Sequence, residues 1–112
     1  MGEERELANE LLDFNDEIEK LINEALNYTL KQMLGLEFSA NDADRMRDIS
    51  ERMRNIAGNE KHRDSIRKMS LSDNASSWQK NMAMRAWNNL NQAGKLAGDL
   101  DKIRNKTMEE IL

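Results

Sequence analysis

Apolar residues in the first part of the chain recur at steps of four and three. This spacing places them along one narrow stripe of an α-helix. We call this stripe the N-terminal seam; its members are Leu7, Leu11, Phe14, Ile18, Leu21, Ala25 and Tyr28. A second apolar row lies beside it, made of Leu12, Ile22, Leu26 and Met33. The pattern therefore predicts a long amphipathic helix that packs against one or two partner helices.

The rest of the chain can also be helical, because it contains no proline and only Gly, Ser and Asn clusters interrupt it. The pattern predicts helices over about 3–34, from a cap at Ser39 to Gly58, over 60–69, and from about 73 to near the C-terminus. Ser72 or Asn74 is the expected N-cap of the last helix. The sequence thus predicts an all-α, elongated helical bundle with long N-terminal and C-terminal helices, coiled-coil-like seams and a single domain over 1–112.

The last predicted helix has a middle of small residues, and two of them are glycines, Gly94 and Gly98. A glycine inside a helix costs roughly 1 kcal/mol relative to alanine. Two interpretations account for the pair: close approach of the backbone to a bulky residue such as Phe14 or Ile18, or a break that divides the helix. The close approach is the favoured interpretation.

Charge is unevenly distributed along the chain, although the net charge is only −4. Residues 1–44 carry 12 acids and 3 bases, whereas residues 45–68 carry 4 acids and 8 bases. The acidic first helix and the basic middle segment are therefore expected to lie side by side, within one chain or between chains. In the alternative, the basic segment binds the phosphates of a nucleic acid or an acidic surface. Its candidate residues are Arg45, Arg47, Arg52, Arg54, Arg63, Arg67 and Lys68.

Two exposed-looking side chains are candidates for contact with a protein partner, Trp78 and Met84. Trp78 and Trp87 lie nine residues apart, which turns them to opposite sides of one helix. Trp87 adjoins the predicted seam and is expected in the core. Trp78 lies among polar residues near the helix start, where it either closes the end of the bundle or serves as a binding anchor.

Catalytic and metal-binding patterns are weak. There is no cysteine and one histidine, His62, which is expected on the solvated surface. Carboxylates three residues apart, such as Glu10 with Asp13, lie off the predicted seam and would point to water. The sequence therefore predicts no enzyme activity, no cofactor and no metal site.

These observations favour a non-enzymatic protein–protein interaction module, such as an assembly factor, an adaptor or an inhibitor. We expect it to be cytoplasmic and to form a dimer or a higher oligomer through the N-terminal seam. Nucleic-acid binding by residues 45–68 is the alternative, and no membrane segment is expected.

Overall fold

The protein is described here by a computed structural model that covers residues 2–112, with side chains from residue 5 onward. Four helices make up the structure: α1 (Gly2–Met33), α2 (Ala40–Ala57), α3 (Glu60–Leu71) and α4 (Ser77–Ile111). Across the described residues there is no strand, and the longest dimension is 56 Å. The predicted fold class, an elongated all-α bundle with long terminal helices, is confirmed.

The four helices form three rods, because α2 and α3 follow one another along the same side of the bundle. Each of them packs against both α1 and α4. Arg45 near the start of α2 bonds to Glu24 of α1, and Ser65 of α3 bonds to Glu10. The α2–α3 rod therefore runs antiparallel to α1, and α4 returns parallel to α1.

The N-terminal seam lies in the core between these rods. Leu11, Phe14, Ile18 and Leu21 are buried, while Leu7 and Tyr28 at the ends of the seam are half-buried. Partners from the other rods include Met46 and Ile49 of α2, Met69 of α3 and Leu100 of α4, each fully buried. Burying a large aliphatic side chain contributes roughly 1.5–3 kcal/mol. The seam is therefore occupied within a single chain.

Side-chain caps fix where the middle and last helices begin. Ser39 accepts from the Asp42 amide at 3.2 Å and its own amide donates to Asp42 at 2.9 Å, which completes the expected capping box. The last helix begins later than predicted, because its N-cap is Ser76 rather than Ser72 or Asn74. Ser76 forms a second capping box with Gln79, at 3.1 and 2.8 Å.

Helix α4 passes through Gly94 and Gly98 without a break. The expectation that these glycines allow close backbone approach is wrong, because a Cβ added at either position would meet nothing within 4 Å. Close packing in this region is made instead by Ala93 and Ala97, which are fully buried. The glycines lie off that buried row, so their small size is not used for packing.

Buried amides join α1 to α4. The Asn15 Nδ2 donates to the Met82 carbonyl at 3.3 Å, and the Asn89 Nδ2 donates to the Asn15 Oδ1 at 3.0 Å. The same Asn89 nitrogen donates to Glu19 at 2.8 Å, and Glu19 also binds Arg85. The Arg85 hydrogen bond holds the pKa of Glu19 below its ordinary value, although partial burial opposes this. These bonds favour one register of the two long helices over its neighbours.

The two buried asparagines should respond differently to replacement by leucine. Asn89→Leu leaves the buried Asn15 oxygen without a donor, which should lower the free energy of unfolding by about 1–3 kcal/mol. Asn15→Leu leaves Asn89 bonded to Glu19 and should lower it by less than about 1 kcal/mol. Urea unfolding followed by circular dichroism measures both values, and equal losses would contradict the assigned bonding.

The two glycines of α4 should be stabilised by alanine, since each has open space where the Cβ would lie. We expect Gly94→Ala and Gly98→Ala each to raise the free energy of unfolding by about 0.5–1 kcal/mol. Gly35 is the matched control, because its φ of 76° disfavours any side chain, so Gly35→Ala should lower stability. Thermal or urea unfolding distinguishes these outcomes, and a loss at Gly94 would show a packing role that the structure lacks.

Candidate functional site

A groove of about 460 Å³ runs along the surface between α3 and α4. One wall is a line along α3 of residues four and three apart, Arg63, Arg67 and Ser70. The opposite wall is a line along α4 with the same spacing, Lys80, Met84 and Trp87. Ile66 also lines the groove and is itself buried. We call this feature the α3–α4 groove.

The groove stays open because α3 has few large apolar side chains to cover α4. Ile66 and Met69 are buried, and Leu71 at the end of α3 is exposed. Trp87 was expected in the core, and that expectation is wrong, because 46% of its surface is exposed. Met84 on the same face of α4 is 63% exposed. The groove therefore presents a large aromatic and a flexible thioether to solvent, a combination that is common at protein-binding surfaces.

Three cationic side chains rim this apolar surface. Arg67 lies 3.8 Å from Asp64 on its own helix, with both side chains well exposed. The Arg63 Nε donates to the Ala57 carbonyl at the end of α2, at 3.2 Å. Among the described side chains, no carboxylate forms an ion pair with Arg63 or Lys80. The groove thus has an apolar lining and a positive rim.

The arginines of α2 lie elsewhere and are paired with carboxylates. Arg45 bonds to Glu24 and Asp48 at 2.7 and 2.9 Å, and the Glu24 hydrogen bond raises the arginine pKa. Arg52 lies 3.3 Å from Asp48, and Arg47 lies 3.9 Å from Asp44.

Arg54 donates to Ser50 and forms an ion pair with Asp101 of α4. Burial alone would raise the pKa of Asp101, but hydrogen bonds from Arg54 and Ser50 and the Arg54 charge lower it.

The structure therefore divides the predicted site residues into groups. Met84, Arg63 and Arg67 meet in the groove, where Lys80, Ser70 and Trp87 join them. The α2 arginines and the exposed Lys68 lie outside it. Lys80, Ser70 and Trp87 were not predicted as site residues, although Lys80 and Trp87 are spaced four and three residues from Met84 along α4.

Trp78 does not line the groove. It is 62% exposed and lies nine residues before Trp87, on the opposite side of α4. A second exposed apolar surface lies on the outer side of the last turns of α1 and the turn residue that follows, where Leu26, Leu30, Met33 and Leu34 are exposed. We call these four residues the leucine face.

The residues considered for catalysis or metal binding, His62 and Glu10, make contacts within the bundle. His62 was expected on the solvated surface, and that is wrong: it is half-buried, with its ring centroid 4.9 Å from that of Phe14. Glu10 accepts a hydrogen bond from Ser65 at 3.0 Å.

Over the described part of the chain, no three His, Cys, Asp or Glu side chains converge as metal ligands would. None of the helices in this part combines the length and the hydropathy that a membrane span requires.

Comparison of the chain with protein families, with curated proteins and with solved structures finds no match. The function of the chain is therefore inferred from the geometry of the described residues.

The Arg54–Asp101 pair should make stability depend on pH. A carboxyl whose pKa is lowered in the folded state contributes stability above its ordinary value of 3.8, and this contribution is lost as the pH falls through the lowered pKa. Asp101→Asn should therefore reduce the free energy of unfolding at pH 6 and flatten its decline between about pH 4 and pH 2. Glu51→Gln, at an exposed position of α2, is the matched control, and an equal flattening there would contradict the assignment.

Proposed function

We propose that this chain is a non-enzymatic protein–protein interaction module that binds an acidic, amphipathic helix of a protein partner in the α3–α4 groove. The observation that carries the proposal is the pairing of an exposed Met84–Trp87 surface with a rim of three cations. Exposed aromatic and methionine side chains contribute strongly to protein interfaces. A cationic rim favours carboxylates and speeds the approach of an acidic partner.

The groove has the dimensions of a helix-binding surface. Lys80 to Trp87 covers about two helical turns, roughly 10 Å along α4. A bound helix would place apolar side chains at steps of three and four against Met84, Trp87 and Ile66. Its carboxylates would then lie beside Arg63, Arg67 and Lys80. The expected partner segment is therefore short, helical and negatively charged along the flanks of its apolar row.

Nucleic-acid binding by residues 45–68 remains the alternative function. Against it, three of the four α2 arginines, Arg45, Arg52 and Arg54, form closer ion pairs with carboxylates of the same chain, so free cations do not form a continuous track over this segment. In its favour, Trp87 beside Arg63 and Arg67 could stack on an unpaired base. Binding of a single-stranded oligonucleotide therefore tests this alternative.

Self-association is part of the same proposal, as is a cytoplasmic location. Because the N-terminal seam is occupied within one chain, association between copies requires a different surface. No cofactor enters the proposed activity, since it consists of binding alone.

The groove can be tested with a synthetic two- to three-turn amphipathic peptide that has leucines at steps of three and four and glutamates beside them. Fluorescence anisotropy should show that the peptide binds and that Trp87→Ala weakens binding by at least about tenfold. Trp78→Ala is the matched control, because it removes an exposed tryptophan from the opposite side of the same helix, and it should leave binding unchanged.

Charge reversal separates the two candidate surfaces. Arg67→Glu with Lys80→Glu should abolish peptide binding, whereas Arg47→Glu with Arg52→Glu should reduce it by less than about threefold. A lysine-substituted peptide should fail to bind. Failure of the acidic peptide to bind at millimolar concentration would contradict the proposal. Tight binding of an oligothymidine that is lost on reversal of Arg47 and Arg52 would establish the alternative.

A further inference from the structure

We infer that the leucine face is the surface on which a second copy of this chain docks, in an antiparallel dimer whose two-fold axis passes close to Leu30. The inference rests on the self-association included in the proposed function and specifies where it occurs. It concerns a different surface from the α3–α4 groove, so the two can be tested separately.

The leucine face is apolar and nearly uncharged within a highly charged chain. Residues 25–36 include one charged residue, Lys31, whereas 34% of all residues are charged. Leu30, Met33 and Leu34 are each more than half exposed, and Leu26 is 40% exposed. An interface with two-fold symmetry brings a surface against itself, so a neutral apolar surface pairs without like-charge repulsion. The groove, with its cationic rim, would repel its own copy.

The spacing of the leucines is compatible with two-fold symmetry. Leu26 and Leu34 lie four residues on either side of Leu30. An antiparallel helix related by an axis at Leu30 therefore places Leu30 against its own copy and Leu26 against Leu34 of the partner subunit. Rows of residues four apart are the ridges through which helices pack most often.

Charged residues of the neighbouring helix flank the leucine face. Asp99, Lys102 and Lys106 of α4 line a shallow pocket beside Thr29 and Met33, and Asp99 and Lys102 lie at about the level of Leu30 along the bundle. In an antiparallel pair each flank of α1 meets the same flank of the other copy. The Lys102 of one copy then lies near the level of Asp99 of the partner subunit, and the reverse pair forms by symmetry.

Light scattering and disulfide trapping test the inference on the full chain. At about 100 μM the wild-type chain should have the mass of a dimer. Leu30→Glu should raise the dimer dissociation constant at least about tenfold while the helical circular dichroism signal is retained. Because the chain has no cysteine, Leu30→Cys gives a single thiol, and in the dimer this thiol lies next to its own copy.

Oxidised glutathione should convert Leu30→Cys into a disulfide-linked dimer at least about fivefold faster than Met84→Cys, the matched control at a similarly exposed groove position. Mixing Leu26→Cys with Leu34→Cys should give the mixed disulfide faster than either variant links to itself.

The outcomes separate the two proposals. A monomeric wild type would overturn this inference and the proposed self-association, and it would leave peptide binding by the groove unaffected. A dimer in which Leu30→Cys links no faster than Met84→Cys would overturn the leucine face alone.

Discussion

The bundle depends on one constraint. The apolar faces of the two long helices, α1 and α4, must be covered by a third rod, and Gly58 and Asn59 divide that rod into α2 and α3. Helix α2 meets this demand with a row of buried residues that includes Met46, Ile49 and Met53. Helix α3 has twelve residues and only two large buried ones, Ile66 and Met69. The core is therefore complete beside α2 and incomplete beside α3. The α3–α4 groove lies where the covering rod is poorest in apolar side chains.

Polar contacts then determine how the rods align and which cations stay accessible. Asn15 and Asn89 bond to one another inside the α1–α4 contact, which favours one register over its neighbours. Arg45 and Arg54 each join α2 to another helix through a carboxylate. Such exposed pairs contribute little to stability, about 0–1 kcal/mol each. Helix α2 carries four arginines and four carboxylates, whereas α3 carries four bases and two acids, so the net positive charge of this rod lies on α3.

The periodicity of the sequence was sufficient to predict most of the fold. The steps of four and three from Leu7 to Tyr28 define a helix face regardless of what packs on it, and the Ser39–Asp42 capping box is a local signal. Trp87 and the two α4 glycines were misjudged for a different reason. Whether Trp87 is buried depends on what α3 places opposite it, and whether Gly94 approaches another backbone depends on the rotation of α4. Neither the burial of Trp87 nor the surroundings of Gly94 can be predicted from the neighbouring residues in the sequence.

The candidate site was predictable only in part for the same reason. Arg63 and Arg67 could be selected from their charge, and Met84 because it is an apolar side chain outside the predicted seam. They lie on two different helices, however, and the sequence does not show how those helices align. Lys80 and Trp87 become candidates only when both helices are placed together. Conversely, the N-terminal seam resembled an oligomer surface because a sequence pattern does not reveal whether its partner helix belongs to the same chain. In the structure that partner is intramolecular, and the accessible apolar surface of α1 is the leucine face.

The most direct test of the central claim is a nuclear magnetic resonance map of where an acidic amphipathic peptide contacts the chain. If the α3–α4 groove is the binding surface, the largest shift changes will be those of the Trp87 indole, the Met84 methyl and the Ile66 methyl groups. The Trp78 indole on the opposite side of α4 will change little. Changes centred on Trp78, or on Arg47 and Arg52 of α2, would contradict the account.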